Sequence, residues 1–205
     1  GYFYRNYIRV KIKMYCILLE MYLLVYFHAY KNNKISWEGV YCKMSITLTA
    51  VLESEKSILR NLYSLYLHDL SKFTSMIDLG ADGSFYYESL DKFWCIEGLS
   101  PYFIKLDGSI IGFILLLERP FLKEENDLGI NDFFIINKYK GKGLAAKAAV
   151  KLFEAKQGQY FVIQVIENKR AVSFWRKLYL ELNIEFNERQ ELIDDEQCLI
   201  QTFKI

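Results

Sequence analysis

Three lysines and two glycines within six residues make up the part of this chain best suited to chemistry: Lys138, Lys140, Gly141, Lys142 and Gly143. An apolar run, Phe133 to Ile136, leads into them, and a small-residue helical pattern, Leu144 to Ala149, leads out. Glycine reaches backbone angles closed to other residues, so its N–H groups can approach a ligand closely. A helix beginning at that point aims unpaired N–H groups and the positive end of its dipole at the same place. The spacing therefore predicts an anion cradle of the kind that holds a pyrophosphate, with the lysines adding charge.

Three nucleotide-binding patterns compete for this loop. A P-loop requires Lys and Ser or Thr after its last glycine, and Gly143 is followed by Leu144. A dinucleotide fingerprint is matched in part by Gly141, Gly143 and Ala146, but the strands before it read as a hairpin meander rather than a βαβ unit. An ordinary helix-start turn is the third reading, and the flanking elements must decide between them.

Those elements can be followed from Met44. Ile46, Leu48 and Val51 suggest a strand, and residues 53–73 carry apolar side chains at helical spacing: Ile58, Leu62, Leu65, Tyr66 and Leu70. Residues 75–100 read as a long ordered aromatic loop covering something, as substrate lids often do, with Phe85, Tyr86, Tyr87, Phe93 and Trp94 as candidates to line an acceptor pocket. Asp107-Gly108 between two strand-like runs is a hairpin signal, and the second run, Ile110 to Leu117, is apolar on both faces and must be buried. After the loop come a helix with Leu144, Ala148, Leu152 and Phe153 on one stripe, a strand at Tyr160–Ile166 and a helix at Ala171–Leu178. Two closing strands follow, near Leu182–Phe186 and Cys198–Phe203. The order β, α, loop, β, β, β, α, β, α, β, β predicts an α+β single domain with a central mixed β-sheet flanked by helices.

The chain has 205 residues and is 52% apolar, enough for one domain and an additional segment. Residues 1–43 hold seven basic and two acidic side chains, net +5, leaving nineteen basic and twenty-three acidic over 44–205, net −4. The first 43 residues therefore read as a non-domain N-terminal extension. Their apolar run, Met14 to Phe27, is shorter than the roughly 20 residues a spanning helix needs, so a membrane role is expected only if residues 1–30 act as an anchor. Cys16, Cys42, Cys95 and Cys198 are scattered, with neither CxxC nor a histidine cluster. No metal and no disulfide framework is expected, and free thiols suit a cytoplasmic setting. His68 is the one histidine beyond the extension, and its helical context predicts a surface position.

Two separated motifs resolve the loop. Lys138, two residues, Gly141, one residue, Gly143 resembles the Arg/Gln-x-x-Gly-x-Gly/Ala element of the GNAT superfamily of acyl-CoA-dependent N-acyltransferases, with Lys at its first position. Asn168, Ala171 and Phe174 resemble that superfamily's second element, in the right order and spacing, although Asn168 alone reads as a helix N-cap. From Phe93 and Trp94 to the Phe174-Trp175 pair, the chain is similar to a bacterial group of predicted acetyltransferases.

The resemblance implies acetyl-CoA as co-substrate. The strand Phe133–Ile136 would splay from Tyr160–Ile166, with backbone at Phe134, Ile135 and Ile136 free for the pantetheine arm. The amides of residues 140–145, Leu144 and Ala145 included, would hold the pyrophosphate, Lys138, Lys140 and Lys142 its charge, and Asn168 and Trp175 would lie near the cofactor. Replacing a planar multi-donor group by Lys138 implies weaker affinity rather than none. The tyrosine that often protonates the leaving thiolate in this superfamily corresponds to Trp175, whose indole is no acid near neutral pH. Tyr179, one turn beyond, is a substitute, and Asp132 and Glu118, bordering the central strands, are candidates for the base. The expected reaction is acetyl transfer to a primary amine of a small molecule or protein by direct attack. The alternative is a non-catalytic acyl-CoA-binding or interaction module. No nucleic-acid partner is expected, and the closing edge strands could support a homodimer.

Overall fold

A computed structural model describes residues 45–205 apart from 86, 123 and 124. The chain divides after Lys43 into two units, and the second, Met44–Ile205, carries the sheet and its helices. Seven strands form one sheet in the order β1-β2-β3-β4-β5-β7-β6. β1 (Ile46–Ala50), β2 (Leu99–Leu106), β3 (Ser109–Glu118) and β4 (Leu128–Ile135) run antiparallel. β5 (Gln159–Val165) is parallel to β4, and β7 (Glu196–Lys204) lies antiparallel between β5 and β6 (Phe186–Ile193). The single parallel step needs a crossover, which α2 (Leu144–Ala155) supplies. The expected element order and mixed sheet are therefore present.

Local chemistry accounts for the connections. Asp107 and Gly108 have φ of 48° and 81°, the left-handed pair that a two-residue hairpin matching the strand twist demands. β3 is apolar on both faces because both are covered. Phe113 and Leu115 pack with Leu59, Tyr63 and Leu67 of α1 (Lys56–Leu70), while Ile114 and Leu116 pack with Leu144, Ala148 and Leu152 of α2 and with Trp175 and Leu178 of α3 (Lys169–Leu182).

Four expectations need correction. The buried stripe of α1 is Leu59, Tyr63 and Leu67, whereas Ile58 and Leu65 are exposed. Two stripes coexist in KSILRNLYSLYLHDL, and the one that includes Tyr63 wins because it meets Phe113. The strand before the glycine loop starts at Leu128, not Phe133, since its first half pairs with both neighbours. Leu182 ends α3 rather than opening a strand, and β6 runs from Phe186 to Ile193. Its central residues face water, so the apolar run used as a strand signal is absent there. The 75–100 segment is ordered and covers the core, but it is not loop throughout: its 3₁₀ stretch, Glu88–Trp94, buries Leu90 and Phe93 against Leu99 and Phe103, and β2 already opens at Leu99.

Candidate active site at the β4–β5 crevice

β4 and β5 pair only over Leu128–Ile130 and Tyr160–Val162. Opposite this point the β3–β4 register slips, with Leu115 facing Asp132 and Leu116 facing Ile130, so that Asn131 is an extra residue in β4. A bulge bends its strand. β4 consequently leaves β5 from Asn131 onward, and a crevice opens whose walls are strand backbone. Phe134 and Ile135 bury their side chains in opposite cores, so only main-chain groups of this segment face the crevice edge.

At the crevice mouth the chain turns through Ile136 and a 3₁₀ turn, Asn137–Tyr139, into the glycine loop. Gly141 and Gly143 have φ of 76° and 72°, and a Cβ at either would meet no heavy atom within 4 Å. Backbone conformation, not crowding, requires glycine here, and the space before the loop is open. Gly143 caps α2 without a side-chain bond, and its carbonyl accepts from Lys147 N at 3.2 Å. The N–H groups of Leu144, Ala145 and Ala146 lie in the first helical turn, where no intrahelical carbonyl can reach them. This arrangement fits a bound pyrophosphate. Lys138 and Lys142 flank it, their Nζ atoms 5.3 and 5.8 Å from the Tyr139 ring centre. Lys140 turns away, bonding Asp69 of α1 at 2.7 Å, and so ties the loop to that helix.

The bulge also aims Asp132 at the α1 face of the sheet. The residue is 8% exposed, and its carboxylate accepts hydrogen bonds from Asn131 Nδ2 at 2.7 Å and the Tyr63 hydroxyl at 3.2 Å, with Tyr66 a third partner. Burial raises its pKa above the usual carboxylate value, and the hydrogen bonds from Tyr66, Asn131 and Tyr63 oppose this only in part. Burial likewise pushes the Tyr63 and Tyr66 hydroxyls upward, and the neighbouring Asp132 charge adds to it. Both stay protonated donors. Tyr87 stacks on Tyr63 with ring centres 4.9 Å apart. On this same face β5, β7 and β6 carry a cavity of about 500 Å³ lined by Phe161, Ile163, Arg189, Ile200 and Thr202, with Glu125 and Asn126 at its rim.

The other expected residues are dispersed. Glu118 pairs opposite Leu128 at the closed end of the crevice and bonds Lys156 at 2.5 Å; the strand rise puts it about 10 Å along the sheet from Asp132. Tyr179 is fully buried among Trp175, Phe186 and Phe203, and its hydroxyl donates to Gln201 at 3.3 Å. Burial, helped by Glu188, pushes its pKa up. Trp175 is buried edge-on to Phe133 of the diverging β4 segment, ring centres 5.7 Å apart. Asn168 caps α3, its Oδ1 accepting from Ala171 N at 3.2 Å. Of the aromatic loop, Phe93 is core, the Trp94 indole donates to Val51 O, and Tyr86 lies outside the described residues; Phe85 and Tyr87 remain as candidate lining. His68 is exposed in the last turn of α1, as its helical context predicts, its ring 6.3 Å from that of Phe85.

Sequence reasoning missed Tyr63, Tyr66 and Asn131 as residues of this site. The three-residue spacing of the first two, which puts them on one helix face, was the available signal. Among the described residues no helix is long and apolar enough to cross a membrane, and no cluster of three potential ligands could hold a metal ion.

The architecture recurs among solved structures. An acetyltransferase from Thermus thermophilus superposes with a TM-score of 0.57 at 13% identity, over 79% of this chain and 98% of its own. Naa50 from Arabidopsis thaliana, in complex with the bisubstrate analogue CoA-Ac-MVNAL, gives 0.53 at 15% identity, over 78% and 99%. AAC(6')-Ib in complex with paromomycin and acetyl-CoA gives 0.54 at 15% identity, over 78% and 93%. No curated protein matches the sequence. At such identities these likenesses establish the fold alone, but the sequence profile of the Acetyltransferase (GNAT) family matches residues 60–179, more than half of the chain, and the protein belongs to that family.

Proposed function

We propose that the chain transfers the acetyl group of acetyl-CoA to a primary amine by direct attack. The observation that carries this reading is the buried Asp132 beside the point where β4 leaves β5, one strand length from the Gly141/Gly143 cradle. The thioester supplies the activated acyl group. Backbone of residues 131–135 and 163–165 orients the pantetheine arm and polarises the carbonyl, Gly141 to Ala145 and the flanking Lys138 and Lys142 hold the phosphates, and Lys140 keeps the loop on α1.

An amine reaches neutral solution as ammonium and attacks only once neutral. Asp132, desolvated yet held by three donors, takes that proton at the α1 face, where the acceptor would arrive past Tyr87. Trp175 and the engaged Tyr179 leave the departing thiolate to be protonated by solvent, and positioning two reactants in one crevice supplies much of the acceleration. Glu118, paired with Lys156, serves the sheet rather than the reaction.

Neighbours bound to a peptide-bearing analogue and to an aminoglycoside recommend both protein and small-molecule amines as acceptors. Thiol release from acetyl-CoA across such a panel tests the proposal. Turnover with at least one acceptor is expected, whereas CoA binding without turnover for any acceptor would favour the non-catalytic module. We further propose residues 44–205 as the self-sufficient domain. That fragment is expected to remain soluble and bind CoA as the full chain does, by calorimetry; an insoluble fragment beside a stable full chain would give residues 1–43 a structural role.

A further inference from the structure

Gln164 stands in the part of β5 that β4 has left, two residues beyond the last β4–β5 pair, on the face covered by α2 and α3. It is 7% exposed, and its Oε1 is a buried acceptor without a partner. Among the described residues only Thr49 Oγ1 shares that condition, and it is a rotatable hydroxyl on edge strand β1, three strands from the crevice.

The orientation of the Gln164 amide is dictated by its neighbours. Arg176 grips Glu188 through two hydrogen bonds, 2.8 and 2.7 Å, and this grip is the main reason the Glu188 carboxyl is held below its usual pKa. An ionised carboxylate only accepts. Gln201, fully buried, must therefore present Nε2 to Glu188, at 2.5 Å, and Oε1 inward. That Oε1 accepts from the Tyr179 hydroxyl at 3.3 Å and from Gln164 Nε2 at 3.1 Å. Exchanging O and N of Gln164 would bring two carbonyl oxygens together, so its nitrogen must face β7. Its oxygen occupies the branch turned from β7. Leaving such an acceptor unpaired is costly, and buried polar groups are as a rule hydrogen-bonded.

Resting on the acetyl-CoA reading above, we infer that Gln164 is a ligand-binding residue whose Oε1 accepts a hydrogen bond from an amide N–H of the pantetheine arm. The chain Arg176, Glu188, Gln201, Gln164 is then a polarity relay from the surface of α3 and β6 to the crevice. It fixes an acceptor, rather than a donor, beside the bound arm. The crevice backbone can bond amides of either sense, whereas this side chain recognises only a donor.

Titration calorimetry with CoA and with 3′-phosphoadenosine 5′-diphosphate, the nucleotide half without the arm, tests the assignment on the parent and on Gln164→Met. Methionine fills the space without polar atoms, and Tyr179 still satisfies Gln201. The variant is expected to bind CoA about tenfold more weakly, the size of one hydrogen bond to a buried group, with nucleotide binding unchanged and the unliganded Tm not lowered. Glu188→Gln, which frees the relay to reverse, is expected to weaken CoA to a smaller extent and the nucleotide not at all. Unchanged CoA affinity in Gln164→Met overturns the inference and leaves the atom to a buried water. Equal loss for both ligands, with a lowered Tm, overturns it in favour of a purely structural role. A parent protein that binds neither ligand refutes the acetyl-CoA reading itself.

Discussion

Replacing Asp132 by asparagine is expected to lower kcat by about 10²- to 10⁴-fold, the usual contribution of a positioned general base, while leaving acetyl-CoA affinity intact. The same change is expected to raise stability at neutral pH. Burial lifts the Asp132 pKa above its usual value of 3.8, so the native state holds this proton more tightly than the unfolded chain does. The favourable contribution of the protonated group is complete below the unfolded pKa and is lost as pH rises through the folded one. Asparagine cannot ionise, so the Tm difference between variant and parent should grow above about pH 4, the unfolded value, and level off once Asp132 is ionised in the native state. The parent's kcat should fall as pH drops through that same raised pKa. Thermal melts at stepped pH, paired with steady-state rates, check both. A variant that keeps its rate and loses stability at neutral pH would make Asp132 a structural carboxylate.

The second large effect is expected at the cradle. Gly143→Glu should weaken acetyl-CoA binding by at least about 100-fold, because it places a carboxylate where backbone donors and the α2 dipole favour negative charge. It also forces a β-carbon into left-handed backbone, at a cost of about 1–2 kcal/mol. Gly143→Ala separates the two contributions. It carries the backbone cost alone, since a Cβ there meets nothing within 4 Å, and should lose only a few-fold. Calorimetry on the three proteins decides, and equal affinity for parent and Gly143→Glu would remove the loop from the cofactor site. Because Asp132→Asn should affect rate without binding and Gly143→Glu binding before rate, the two variants report on opposite ends of the crevice.

What was legible in the sequence is local in origin. Gly141 and Gly143 announce their conformation because few other residues tolerate it, Asp107-Gly108 announces a hairpin for the same reason, and β3 announces its burial by having no polar face. The motif pair around Gly143 and Asn168 then pointed to the family, since its order and spacing are properties of the chain itself. α1 was misaligned because its pattern supports two stripes, and only contact with Phe113 chooses between them.

The sequence by itself therefore determined the element order, the mixed sheet and the glycine turn that opens α2, each of which follows from backbone permissiveness or hydrophobic periodicity within a short window. Only the tertiary structure decided the candidate reactive centre. Asn131 becomes a bulge through its register against β3, a relation between separate strands. That slip turns Asp132 toward Tyr63 and Tyr66, and the burial that sets its proton affinity comes from packing across the sheet. Glu118 and Tyr179 were further candidates in the sequence, and in the structure Glu118 pairs with Lys156 while the Tyr179 hydroxyl donates to Gln201. Desolvation and hydrogen-bond polarity arise only when distant segments meet.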